Sequence, residues 1–149
     1  MDSLKQLQRH YVQFVKSLYR EKTVDRQFFD MQKLSDDPQF LSVLANGFDN
    51  VWESVSHKLE IAIEHKNVNR ELNDAVHRLK GSSTSIGAKK VTTLCLAFED
   101  HYSTQNYEAC LQCLPKMKEE YVFVKNKLET VCSLQQQIIG AGGSVPILG

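Results

Sequence analysis

Apolar residues recur along this chain at intervals of three and four, and no stretch alternates with period two, so the pattern predicts helices throughout. Leu4, Leu7, Tyr11, Phe14 and Leu18 trace one face of a first helix. Val24, Phe28 and Met31 trace a short second one, with Thr23 or Asp25 placed to cap it. Ser35-Asp36-Asp37-Pro38 interrupts the pattern, and its acidic pair and proline suit a helix start. From Pro38 a long amphipathic helix carries Phe40, Leu44, Phe48, Val51, Trp52, Val55, Leu59 and Ile63. Gly47 inside it costs about 1 kcal/mol against alanine and predicts a local irregularity.

The polar run from His65 to Arg70 reads as a turn. The helix after it buries Leu72, Ala75, Val76, Leu79, Ser83 and Ile86 and stops near Gly87. A further helix aligns Val91, Leu94, Cys95, Phe98 and Tyr102. After Ser103-Thr104-Gln105-Asn106, the last one runs through Tyr107, Leu111, Leu114, Met117, Tyr121, Val124, Leu128 and Val131. Pro115 removes a backbone donor there and predicts a kink or a break. Amphipathic helices joined by short turns must bury their stripes against each other. The expected fold is therefore all-α: an antiparallel four-helix bundle over about 38–139, with two additional N-terminal helices over about 3–34. Residues 1–139 form one domain, and the glycine-rich segment 140–149 is expected to be a mobile tail.

Lys+Arg and Asp+Glu stand at 18 each, so the net charge is zero, which argues against nucleic acid as the main ligand. No apolar run is long enough to span a membrane, and the first residues lack the pattern of a signal peptide, so an intracellular chain is expected. Four cysteines would then stay reduced. Cys110 and Cys113 form a C-x-x-C, but it lies inside a helical pattern with no second pair and no histidine pair beside it. Packed helix thiols are the better reading than a metal or redox site, and no metal is expected.

Chemistry concentrates between Val76 and Ala88. At 100° per residue, His77 points about 140° away from the middle of the apolar cluster, toward water. Asn73, Lys80, Gly81 and Thr84 share that outward face. Glycine and a run of Ser/Thr weaken a helix interior, so a local rule is broken beside a solvent-facing imidazole. A neutral imidazole nitrogen is a competent nucleophile near neutral pH. Lys80, one turn on, can place its ammonium against a phosphoryl oxygen, and Gly81 removes a side chain where a partner must approach. His10, His57, His65 and His101 lack such surroundings and read as ordinary surface residues.

The run from Val76 to Ala88, V-H-R-L-K-G-S-S-T-S-I-G-A, resembles the V-H-Q-L-K-G-S-S-S-S-x-G-A motif of the plant histidine phosphotransfer proteins. The resemblance extends from about Leu4 to Ile139 and takes in the Gln27-Phe28 region and Leu134-Gln135-Gln136-Gln137-Ile138. It implies that His77 is the phosphorylated nucleophile, Lys80 the nearby cation and Gly81 the clearance for docking. Arg78, Thr84 and Asn73 would flank the phosphoryl group or the docked partner. Ser82 and Ser83 match the motif, although its facing angle turns Ser83 inward. The implied partners are the receiver domain of a hybrid sensor histidine kinase and those of response regulators. The receiver side would supply the aspartate and Mg²⁺, and this chain would bind no cofactor. Cytokinin signalling and a cytoplasmic and nuclear location follow from the same resemblance; a carrier that is not itself an enzyme is expected because no second catalytic group accompanies His77, and a shuttle is most simply a monomer.

Three departures stand out. Arg78 replaces the usual glutamine; Asn46-Gly47-Phe48-Asp49-Asn50-Val51-Trp52 replaces a Phe-Phe-x-Asp-Ser-like stretch; Asn69-Arg70 replaces an acidic-aromatic pair. These changes are expected on or near the docking side. They motivate a second reading, a helical adaptor that binds receiver domains without efficient transfer. The histidine itself is retained, unlike in the pseudo-members that block relays.

Overall fold

The computed structural model describes residues 2–148, with the side chain of Asp2 left out. Six helices are formed among them: α1 (Asp2–Arg20), α2 (Arg26–Gln32), α3 (Phe40–His65), α4 (Arg70–Ile86), α5 (Lys89–Ser103) and α6 (Tyr107–Gly140). Helix α3 packs on α4, α4 on α5, α5 on α6, and α6 back on α3, which closes an antiparallel four-helix bundle. Helix α1 lies along α6, and α2 lies against α4.

The apolar stripes account for this arrangement. Val55, Leu59, Ala75, Val76, Leu79, Val91, Phe98, Leu114, Met117 and Val124 are fully enclosed and form the centre of the core. Phe48 and Trp52 of α3 pack on the Tyr121 ring of α6, Trp52 stacked at 4.4 Å between centroids. The Tyr121 hydroxyl donates to Asp49 Oδ1, and Lys125 Nζ lies 3.1 Å from the same oxygen. That pairing lowers the pKa of Asp49, chiefly through the Tyr121 hydrogen bond, while burial and the carboxylate push Tyr121 upward.

Several local expectations are revised. Asp25 caps α2, its Oδ1 accepting from Gln27 N at 2.9 Å, whereas Thr23 is buried with its hydroxyl unpartnered. Helix α3 begins at Phe40, not at Pro38, because Asp37 is spent on a preceding turn in which its side chain accepts from Gln39 N. Gly47 leaves α3 uninterrupted. Pro115 does not break α6 either: the residue is exposed, while Cys113, Leu114 and Met117 hold the helix to the core on both sides of it. Nor does the segment after Gly140 stand clear of the bundle. Gln8 Nε2 donates to Ser144 O at 3.0 Å, and Val145 and Leu148 are half-buried against the core. Apolar side chains in that segment give it a surface to settle on, despite its glycines.

Gly87 ends α4 with φ +83, in the left-handed region that glycine adopts without strain. A Cβ there would meet Phe28 N at 2.5 Å, and Asp25 N donates to Gly87 O at 3.0 Å, so α2 is clamped on this turn. The cysteines are free thiols: Cys95, Cys110 and Cys113 are buried and Cys132 is half-buried. Burial pushes Cys95 up to about 12 and Cys110 up to about 11, which keeps both protonated and unreactive at neutral pH.

Two measurements check this packing. Gly87→Ala should destabilise the protein by about 2–4 kcal/mol in urea unfolding, from backbone strain and the clash with α2. Gly47→Ala, whose added Cβ meets nothing within 4 Å, should instead stabilise it by up to about 1 kcal/mol. In thiol labelling at about pH 8, Cys132 should react first, and Cys95, Cys110 and Cys113 only on unfolding; equal rates at all four would contradict the buried placement.

Candidate functional site

Helix α4 is fixed at both ends by its own sequence. Asn69 Oδ1 accepts from Leu72 N at 2.8 Å, and Gly87 closes the far end. Between them the buried set is Leu72, Ala75, Val76, Leu79, Ser83 and Ile86, the stripe expected from the spacing. This rotation turns His77 outward, with 67% of its side chain exposed. Gln27 Nε2 donates to Ser85 O, adding a second tie between α2 and the end of α4.

The ring is exposed but not free. His77 Nδ1 lies 3.1 Å from Glu99 Oε1, across the α4–α5 interface. The other oxygen of Glu99 accepts from Lys80 Nζ at 2.9 Å. One carboxylate thus bridges the imidazole and the ammonium. Because an ionised carboxylate only accepts, the hydrogen in the His77 contact resides on Nδ1. In the neutral ring this leaves the lone pair on Nε2, the nitrogen not held by Glu99.

The remaining predicted residues divide. Gly81 is exposed, and a Cβ added to it would meet nothing within 4 Å, so no internal packing demands glycine there. Arg78 is exposed and, among the described residues, makes no ion pair. Thr84 is exposed, but its hydroxyl donates to Lys80 O at 2.7 Å, one turn back. Lys80 is not fully outward as expected; its side chain is 24% exposed because Glu99 draws it against α5. Asn73 is half-buried rather than exposed, and its Oδ1 is enclosed without a hydrogen-bond partner. Ser83 faces inward: its Oγ lies 2.8 Å from Thr92 Oγ1 of α5 and 3.0 Å from Lys80 O.

Sequence reasoning missed Glu99. It sits 22 positions beyond His77 on a different helix, and only the pairing of α4 with α5 brings the two together. The available signal was a carboxylate one position after the buried Phe98, on the edge of the α5 stripe. The divergent stretch of α3 is divided: Asn46, Gly47 and Asn50 are exposed, and the rest turns toward the bundle. Phe48, Asp49 and Trp52 engage Tyr121 of α6, not the α4–α5 face that carries His77. Asn69 serves as the cap of α4, and Arg70 is the exposed first residue of that helix. Among the described residues, no group of three or more His, Cys, Asp or Glu gathers to hold a metal ion, and no helix is long and apolar enough to cross a membrane.

The Hpt domain family matches residues 39–132, which span α3, α4, α5 and most of α6. Histidine-containing phosphotransfer protein 1 of Arabidopsis thaliana is 38% identical over 146 residues, covering 96% of this chain and 95% of that protein. Histidine-containing phosphotransfer protein 2 of the same plant is 40% identical over 151 residues, with coverages of 98% and 97%. The crystal structure of the histidine-containing phosphotransfer protein MtHPt2 from Medicago truncatula matches with a TM-score of 0.84 at 32% identity, covering 97% of this chain and 100% of that one. The chain therefore belongs to the Hpt family, the phosphoryl carriers of two-component phosphorelays. Its likeness runs to the plant histidine-containing phosphotransfer proteins along nearly its whole length.

Proposed function

We propose that His77 carries the phosphoryl group, taking it from the aspartyl phosphate of a hybrid sensor kinase's receiver domain and delivering it to the receiver domains of response regulators. The observation that supports this reading most directly is the His77 ring, exposed on α4 with Nδ1, not Nε2, facing Glu99. In the step proposed, the Nε2 lone pair attacks phosphorus while the P–O bond to the aspartate breaks. The carboxylate leaves with the electron pair, and Nε2 gains the phosphoryl group. Reversal on a second receiver aspartate completes the relay.

Lys80 swings from Glu99 to the phosphoryl oxygens and offsets the added charge. Gly81, one turn from His77, leaves room for the receiver's loops, which fits a helical glycine that no internal contact requires. Arg78, exposed beside the site and without an ion pair among the described residues, meets the acidic surroundings of the receiver's aspartate. Thr84 and Asn73 border the docking face without touching the phosphoryl group. Mg²⁺ is held by the receiver, and this chain supplies neither metal nor cofactor. We assign the chain to cytokinin signalling as a monomeric shuttle present in cytoplasm and nucleus, on its likeness to the plant proteins. An adaptor without transfer is the competing reading, motivated by the divergent α3 stretch, of which Phe48, Asp49 and Trp52 pack toward α6 while Asn46, Gly47 and Asn50 are exposed.

Incubation with a phosphorylated receiver domain and Mg²⁺ should place acid-labile, base-stable phosphate on the wild-type chain and none on His77→Gln. Label on the variant would refute the assignment, and tight receiver binding with no label on wild type would establish the adaptor. Lys80→Ala should slow transfer about tenfold or more with the fold intact, the loss expected of one charge-assisted hydrogen bond.

A further inference from the structure

We propose that the cavity framed by α1, α2, the start of α3 and the end of α6 is a binding site for a neutral small molecule. The ligand has an apolar body and one hydroxyl or amide group, which Tyr11 and Gln135 hold. The site is separate from the His77 face, since none of its lining residues belongs to α4 or α5. Its volume is about 550 Å³, within the range of small-molecule sites. Native interiors leave few voids larger than a water molecule, so a cavity of this size is not a packing remainder. Val15, Phe29, Phe40, Leu41, Ile139 and Leu148 give it a mostly apolar wall. The C-terminal segment is seated over it. The chain turns at Gly142, with φ +87, Gly143 N donates to Ile138 O at 3.0 Å, and Ser144 O accepts from Gln8 Nε2.

A chain of amides orients the polar end. Gln32 Nε2 donates to Phe28 O at 3.0 Å, which leaves Gln32 Oε1 to face Gln135. Gln135 Nε2 donates to that oxygen at 3.1 Å and to the Tyr11 hydroxyl oxygen at 3.0 Å. Both amide hydrogens of Gln135 are thereby used. Two complementary groups remain, the Tyr11 O–H and Gln135 Oε1, neither hydrogen-bonded further among the described residues. Both side chains are buried, where an unmade hydrogen bond is costly. Burial also pushes the Tyr11 hydroxyl above its usual range, which keeps it a neutral donor. A ligand hydroxyl or amide accepts from Tyr11 and donates to Gln135, while its apolar body removes the wall from water. Water alone satisfies the polar pair and gains nothing from that wall. The charged side chains at the rim, Lys33, Asp36 and Asp37, are exposed and of both signs, so they select no ionic ligand.

The probe is 2-naphthol, a neutral apolar ring system with one hydroxyl. Added to the full chain, it should bind saturably with a Kd of about 10–500 µM, ordinary for so small a ligand. Methyl NMR should locate it, with shifts at Val15, Leu41, Val145 and Leu148 and none at Val55 or Leu79 in the centre of the bundle. Gln135→Leu should weaken 2-naphthol about three- to tenfold, the loss of one neutral hydrogen bond, and leave naphthalene binding unchanged. Ser35→Trp, which sets an indole in the cavity, should weaken both ligands about tenfold or more. Urea midpoints of the two variants give the control for folding. No saturable binding, methyl shifts centred elsewhere, equal effects on both ligands in Gln135→Leu, or full binding by a folded Ser35→Trp would each overturn the proposal. His77→Gln should bind the probe as wild type does, so a failure of the relay reading leaves this site standing.

Discussion

Burial of Leu72, Val76, Leu79 and Ile86 against the neighbouring helices sets the rotation of α4, and the rest of the site inherits its geometry from that rotation. Each of these side chains contributes roughly 1.5–3 kcal/mol when removed from water, so turning α4 to hide His77 would forfeit on the order of 6–12 kcal/mol. That is comparable to the whole stability of a domain this size. The outward imidazole is therefore enforced by the core beneath it, with no need of a dedicated hydrogen bond to hold it out. The caps at Asn69 and Gly87 fix where the helix starts and stops, and α2 locks the second of them.

The bundle was open to reading because it is written locally. Stripes at three- and four-residue spacing on α3, α4 and α6, with short polar turns between them, leave antiparallel packing as the solution. The apolar set of α4 follows from angle alone, down to the inward Ser83. What periodicity could not supply was the partner of His77, since Glu99 approaches from another helix and its distance depends on how α4 and α5 pack. Asn73 was misjudged for a related reason: facing angle places a residue on a helix but does not say whether a neighbouring helix covers it.

Local propensity also failed where packing overrode it. Pro115 and Gly47 weaken the helices that contain them, yet both helices continue because their buried faces on either side are held by the core. The segment beyond Gly140 reads as flexible by its glycines, but Val145 and Leu148 find an apolar surface beside α1 and α6. The C-x-x-C is likewise a product of helix spacing, with Cys110 and Cys113 both turned into the bundle.

The hydroxyl pair of Ser83 and Thr92, 2.8 Å apart where α4 crosses α5, bears on all of this. Apolar side chains tolerate a helix sliding along its neighbour, because dispersion has little direction. A hydrogen bond between two short side chains does not. A slip of one residue moves a helix by about 1.5 Å and turns it by about 100°, enough to unclasp the pair. The two hydroxyls thus act as a registration pin, setting the two rods longitudinally so that an acid on one comes level with a base on the other.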